Sequence, residues 1–185
     1  MYEIVKSSRF KDATLENFYL PEAELTKILD WVAKPRNFLI FNGNPGIGKT
    51  HFCVALAKKL QNSAKSDPMQ FAFKYFHERD FFSQLRCNMK NAGDYESMIS
   101  RLCEENNILI FDDFGSSLMT DWQKESLFSF IDHRYYSEKP TVLTSNHFLS
   151  QMNEIFHPRL VSRLEDKKNV IVEINWIDKR KKEAE

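Results

Sequence analysis

Gly43-Asn44-Pro45-Gly46-Ile47-Gly48-Lys49-Thr50 follows a short apolar run, Asn37 to Phe41, and precedes a segment whose Cys53, Leu56, Ala57 and Leu60 fall at i, i+3, i+4 and i+7. The run predicts a strand, the spacing predicts one face of a helix, and the residues between them form a loop. In that context the pattern G-x-x-x-x-G-K-[ST] is a phosphate cradle. Glycines let successive backbone N–H groups converge on phosphate oxygens, and the helix N-terminus adds partial positive charge. Lys49 is placed to neutralise the β and γ phosphates, and the Thr50 hydroxyl to complete the shell of a Mg²⁺ ion. The chain has 5 glycines in 185 residues, well under the average usage of roughly 7%. Three of them lie within this loop, where backbone freedom is needed.

Working outward, Phe71 to Phe76 reads as a second strand, and Phe82, Leu85 and Met89 mark an amphipathic helix. Tyr95, Met98, Ile99 and Leu102 repeat the helical spacing before Ile108-Leu109-Ile110-Phe111, a strand apolar on both faces, as at the centre of a parallel sheet. It ends in Asp112-Asp113. Beside a phosphate loop, a carboxylate at the end of a buried strand is the expected partner of Mg²⁺, so Asp112 joins Thr50 as a candidate metal residue. The other use of such a pair is to cap the next turn, with Gly115 close by.

Thr120 and Gln123 form a capping box that starts a helix running to about Tyr136, and Pro140 introduces the strand Thr141–Thr144. A helical region interrupted at Pro158 precedes a last strand from about Val170 to Ile174. Upstream, Pro21 suits the first turn of a helix whose Leu25, Ile28, Leu29 and Val32 share one face. The fold class is therefore α/β: a parallel sheet of about five strands flanked by helices, with ligands bound beyond the carboxyl ends of the strands.

Composition narrows the function. Lys+Arg and Asp+Glu number 26 each, so no global field draws the chain to nucleic acid or membrane, and such contacts need a local patch. The chain carries no apolar run approaching the roughly 20 residues of a membrane span and no secretory leader pattern at Met1 to Lys6. Three scattered cysteines form neither a disulfide framework nor a zinc motif. A cytoplasmic protein with no membrane partner is expected. The 16 phenylalanines are assigned to core packing, and the five histidines receive no chemistry.

These motifs together resemble the AAA+ P-loop ATPases, and more narrowly the clade of DnaC/DnaI-type helicase loaders and the IstB transposition ATPase. Arg9 to Phe18 is similar to the stretch ahead of their ATPase core. Asp132 to Thr141, running into Thr144-Ser145-Asn146, is similar to their helix and sensor-1 strand, and Pro158 to Leu164 to the segment with their arginine finger. The resemblance implies an ATPase using ATP/ADP and Mg²⁺, with Gly43 to Thr50 and His51 around the nucleotide. It gives Lys49, Asp113, Asn146 and Arg163 catalytic roles: Asp113 as the water-activating acid, Asn146 between γ-phosphate and water, and Arg163 as a finger reaching into a neighbouring subunit of a homo-oligomer. Arg159 is placed to share that task, and Arg180, beside Asn175-Trp176, is a weaker sensor-2 match. Phe18 and Tyr19 stand where relatives place the adenine pocket.

The resemblance further implies DNA replication as the setting, with a replicative helicase or a transposition protein as partner. The expected division is a leading segment 1–20, an AAA+ domain 21–177 and a charged tail 178–185; the sequence departs from the loaders in having only about ten residues ahead of the matching stretch, and from many AAA+ proteins in leaving no room after the last strand for a separate lid domain. Asp113 stands where relatives usually carry Glu; an acid shorter by one methylene predicts slow or partner-stimulated hydrolysis. Arg79, Arg86 and Lys90 line one side of the helix opposite Phe82, Leu85 and Met89, a basic ridge for single-stranded DNA phosphates or simply a solvated face. Two other classes remain: a small nucleoside or nucleotide kinase, and a nucleotide-gated adaptor that hydrolyses scarcely. On the residues alone, Arg159 and Arg163 have a further use, pairing with Glu165 or Asp166, and Asn146 as a turn residue.

Overall fold

A computed structural model describes residues 8–66, 68, 71–88, 92–104, 108–116 and 118–175. Met89, Lys90, Trp176, Arg180 and the tail 178–185 lie outside the described residues. After a short 3-10 turn at Ser8–Phe10, the elements are α1 (Glu22–Ala33), β1 (Phe38–Gly43), α2 (Lys49–Ser63), β2 (Phe73–His77), α3 (Glu78–Asn88), α4 (Ala92–Glu104), β3 (Ile108–Asp112), α5 (Asp121–Tyr136), β4 (Thr141–Ser145), α6 (Leu149–Met152), α7 (Pro158–Leu164) and β5 (Val170–Ile174). Five parallel strands form one sheet in the order β2-β3-β4-β1-β5. β4 is thus inserted between the loop-bearing β1 and the aspartate-bearing β3.

Strand period decides which helix layer each residue meets. On one face, Phe38, Ile40, Leu109, Phe111 and Leu143 pack with the apolar residues of α3, α4, α5, α6 and α7. On the other, Leu39, Phe41, Ile108, Ile110 and Val142 pack with α1, α2 and the segment containing Ala13, Leu15 and Phe18. The same alternation carries Tyr75, His77, Asp112 and Thr144 to the α2 side. β2 and β5 are the edge strands and are only partly buried, whereas β1, β3 and β4 are buried throughout.

α2 is buried on more than the face its spacing predicts: Phe52, Val54 and Ala55 are inaccessible along with Cys53, Leu56, Ala57 and Leu60. The leading segment lies along its outer side. Lys58 donates its ammonium to the carbonyls of Phe10 (2.6 Å) and Lys11 (2.7 Å), and Lys59 pairs with Glu16 at 3.2 Å. The predicted capping box forms at Thr120 and Gln123. Pro21 caps α1 from one position outside it, and Leu29 is 37% exposed, because Trp31 takes the core place beside Ile28 and Val32.

Candidate nucleotide-binding site

The chain turns at Gly43 because nothing larger fits: a Cβ there would stand 2.4 Å from the Ile174 carbonyl oxygen of the adjacent strand β5. Gly48 caps α2 in the left-handed region at φ +100°, a conformation that costs glycine little. Lys49 is 8% exposed and holds its ammonium against the carbonyls of Gly43 (2.7 Å) and Asn44 (3.0 Å), so its charge lies within the loop itself. The N-terminal end of α2 adds partial positive charge there. Ile47 is buried, Thr50 is half-buried at the second position of α2, and Asn44 donates its amide to Asn175 at 3.0 Å. His51 is turned away from the loop toward the leading segment. Its ring meets Phe10 and Phe18, and its Nε2 lies 3.3 Å from the Asn17 amide oxygen. Phe18 is buried in the core while the adjacent Tyr19 is 70% exposed.

Opposite the loop, β3 delivers Asp112 to the α2 face. Its carboxylate is 1% exposed and touches Cys53, one turn beyond Lys49, whose thiol donates to Oδ1 at 3.5 Å. Thr144 of β4 donates its hydroxyl to the same oxygen, and Tyr75 of β2 donates to Oδ2 at 2.7 Å. Burial, together with the neighbouring Asp112 charge, pushes the Cys53 thiol well up.

Asp113 leaves the strand in a left-handed turn at φ +64°, uncommon for a residue with a side chain. That turn redirects its carboxyl. Asn146, just past β4, donates its amide to Asp113 Oδ1 at 2.8 Å, and His77 Nε2, at the end of β2, lies 3.5 Å from Oδ2. The hydrogen bond with His77 is the main cause holding the Asp113 carboxyl below its ordinary value, and the same bond raises the imidazole. Glu78, fully buried at the start of α3, accepts the Gly115 N–H. Two successive residues therefore grip the two ends of the Asp113–Gly115 turn.

Asp112, Asp113, Asn146 and the loop stand at the same end of the sheet, as expected from the sequence. His77, Glu78, Tyr75 and Thr144 join them with no local motif to mark them. Their signal is strand period plus parallel register: His77 pairs in register with Asp112, and Tyr75 lies two residues before it on the same face. Arg163 stands apart from this cluster. Its Nε is 3.1 Å from Asp132, an NH2 donates to the Tyr136 hydroxyl at 3.0 Å, and the guanidinium lies 5.2 Å from the ring centres of Tyr135 and Tyr136. Asp132 replaces the expected Glu165 or Asp166, because α7 packs against α5; Asp166 accepts instead from the Tyr135 hydroxyl. Arg159 is exposed and lines a groove of about 480 Å³ between α5 and residues 154–160, which shares no lining residue with the loop. On α3, Arg79 is exposed, and the Arg86 guanidinium covers the Trp122 ring at 5.6 Å.

For Mg²⁺ the donor chemistry fits: a hydroxyl at the start of α2 and a β3 carboxylate that touches Cys53 of the same helix, with phosphates left to supply further oxygens. Among the described residues, no three His, Cys, Asp or Glu side chains gather to hold a metal by themselves, and no helix is long and apolar enough to cross a membrane.

The replicative helicase loader DnaC of Escherichia coli (strain K12) is 24% identical over 137 residues, 74% of this chain and 54% of that protein. The chain thus spans about half the length of the curated relative it matches. Among solved structures, the DnaC helicase loader superposes with a TM-score of 0.72 at 24% identity, covering 91% of this chain and 99% of that one. The replication initiator DnaA bound to AMPPCP and single-stranded DNA gives 0.70 at 23% identity, with 89% and 50% covered. The fold is accordingly the AAA+ P-loop fold that the sequence resemblance implied. The profile of the IstB-like ATP binding proteins runs from the start of α1 past β5, over residues 21–182, and to that family this chain belongs.

Proposed function

We propose that the chain is an ATP-hydrolysing AAA+ domain of the helicase-loader kind, acting in DNA replication in the cytoplasm. It binds ATP with Mg²⁺, with Lys49 on the β and γ phosphates and Thr50 and Asp112 serving the metal. When bound, Mg²⁺ neutralises charge on the phosphates and orients them. Asp113 then takes the proton of the attacking water, and Asn146 positions that water against the γ-phosphate. Hydrolysis is slow because Asp113 is one methylene short of the usual acid. The observation that carries this reading is the Asn146–Asp113 hydrogen bond of 2.8 Å at the strand ends facing the phosphate loop.

Subunits assemble head to tail, Arg163 reaches the neighbouring site, and the partners are a replicative helicase and single-stranded DNA met along α3. Residues 1–20 lead into the domain, 21–177 form it, and 178–185 are a tail. The family profile favours a second reading, a helper ATPase for a transposition protein with the same nucleotide chemistry. Phosphate release is the test, measured across protein concentration for wild type, Lys49→Ala, Asp113→Asn and Arg163→Ala, with and without single-stranded DNA. The proposal expects activity per chain to rise with concentration. It expects loss in the first two variants and a fall on the order of 10³-fold or more in the third. Activity that is flat with concentration and indifferent to Arg163→Ala overturns the assembly, and activity retained in Asp113→Asn overturns the assignment of the acid.

A further inference from the structure

The Asp112 carboxylate is held by more donors than a strand end requires. A carboxylate offers about four lone-pair directions, and three are filled here. Thr144 and Cys53 both act on Oδ1, and Tyr75 alone acts on Oδ2, at 2.7 Å. The Cβ–Cγ torsion of a carboxylate has a broad, weakly restrained minimum, and rotation about it moves both oxygens. Thr144 and Cys53 restrain it at Oδ1, and Tyr75 is the donor that restrains it from the other side, at Oδ2. Tyr75 reaches it from the adjacent strand β2, because period two points Tyr75 and Asp112 to the same face.

We propose that Tyr75 is a positioning residue for the metal site: its hydroxyl holds the orientation of the Asp112 carboxylate, the group that would serve Mg²⁺. The inference rests on the nucleotide reading of the loop and adds a residue to it. A phenol hydroxyl is protonated at neutral pH and carries a proton to donate. With Asp112 at 1% exposure, water cannot take over the task from Tyr75 without entering the site. Partners of a metal-serving group that do not themselves touch the metal are typically worth 10- to 100-fold in metal affinity.

The test reads binding rather than turnover. A fluorescent ADP analogue is titrated into wild type and Tyr75→Phe at increasing Mg²⁺, and separately in excess chelator. Tyr75→Phe keeps the ring and its packing, so the metal-free affinity should match wild type and report an intact fold. The Mg²⁺ concentration for half-maximal tightening should rise by about ten-fold or more. In an Asp112→Asn background the same substitution should leave that concentration unchanged, since its effect passes through the carboxylate. An unshifted Mg²⁺ requirement in Tyr75→Phe, or an equal shift in the Asp112→Asn background, overturns the role of Tyr75 while leaving the nucleotide site standing. Absence of ADP binding in wild type overturns the nucleotide reading itself.

Discussion

Asp113 and His77 titrate in opposite directions through one contact, and that sets a pH window. The imidazole is raised above its ordinary 6.5, so its contribution is complete below that value and is lost as pH climbs through the folded value. The carboxyl is lowered below 3.8, so its contribution is complete above that value and fails as pH falls through the folded one. The pair therefore supports the fold most between about pH 4 and 6.5. Thermal melts of wild type and His77→Gln, without nucleotide or metal, should differ most between about pH 4 and 6.5 and draw together as pH rises through the folded imidazole value; a gap independent of pH would contradict the pairing. The acids at 112 and 113 and the loop were legible because each is a local pattern. His77 and Tyr75 were not, since their meaning comes from a parallel partner strand some 35 residues away, whose register no local spacing encodes. The ring of His51 packs against the leading segment, whose position over α2 depends on the distant Lys58 and Lys59.

Among the elements, the joint between α5 and β4 depends on one buried cation. Arg134, fully inaccessible, donates Nε to Thr141 at 2.7 Å and its other nitrogens to the carbonyls of Pro140 (2.7 Å) and Cys103 (3.3 Å). It thereby ties α4 and α5 to the first residue of β4, the strand that places Thr144 and, just beyond it, Asn146. Burial lowers its guanidinium to about 10, still charged at neutral pH. Arg134→Met removes three hydrogen bonds, of whose acceptors the Pro140 carbonyl keeps the Leu109 N–H, and should lower stability by about 3 kcal/mol, a fall in Tm of roughly 6–12 °C for a domain of this size. A denaturant or thermal melt checks it, and a change below about 1 kcal/mol would show those bonds to be dispensable. Helices and strands were readable from period and caps, and even α5 begins at the expected capping box. The outer burial of α2 was not, because an amphipathic pattern marks the face toward the sheet but not a second layer laid on top.

For the whole molecule, the sheet order puts phosphate loop, acid and carboxamide on adjacent strands, while α7 carries Arg163 elsewhere, held by Asp132. In the proposed assembly Arg163 must exchange that partner for a neighbour's nucleotide. A half-exposed ion pair is worth about 0.2–1 kcal/mol, so Asp132→Ala should raise phosphate release at a fixed low protein concentration by at most about five-fold. A loss of activity instead would make Asp132 part of the finger's support. All of this depends on the loop holding a triphosphate. The most direct measurement is a calorimetric titration of wild type and Lys49→Ala with ATP in the presence of Mg²⁺. One saturable site per chain is expected, weakened on the order of 10- to 100-fold when the charged hydrogen bonds of Lys49 are removed. No heat of binding, or equal affinity in Lys49→Ala, would contradict the account.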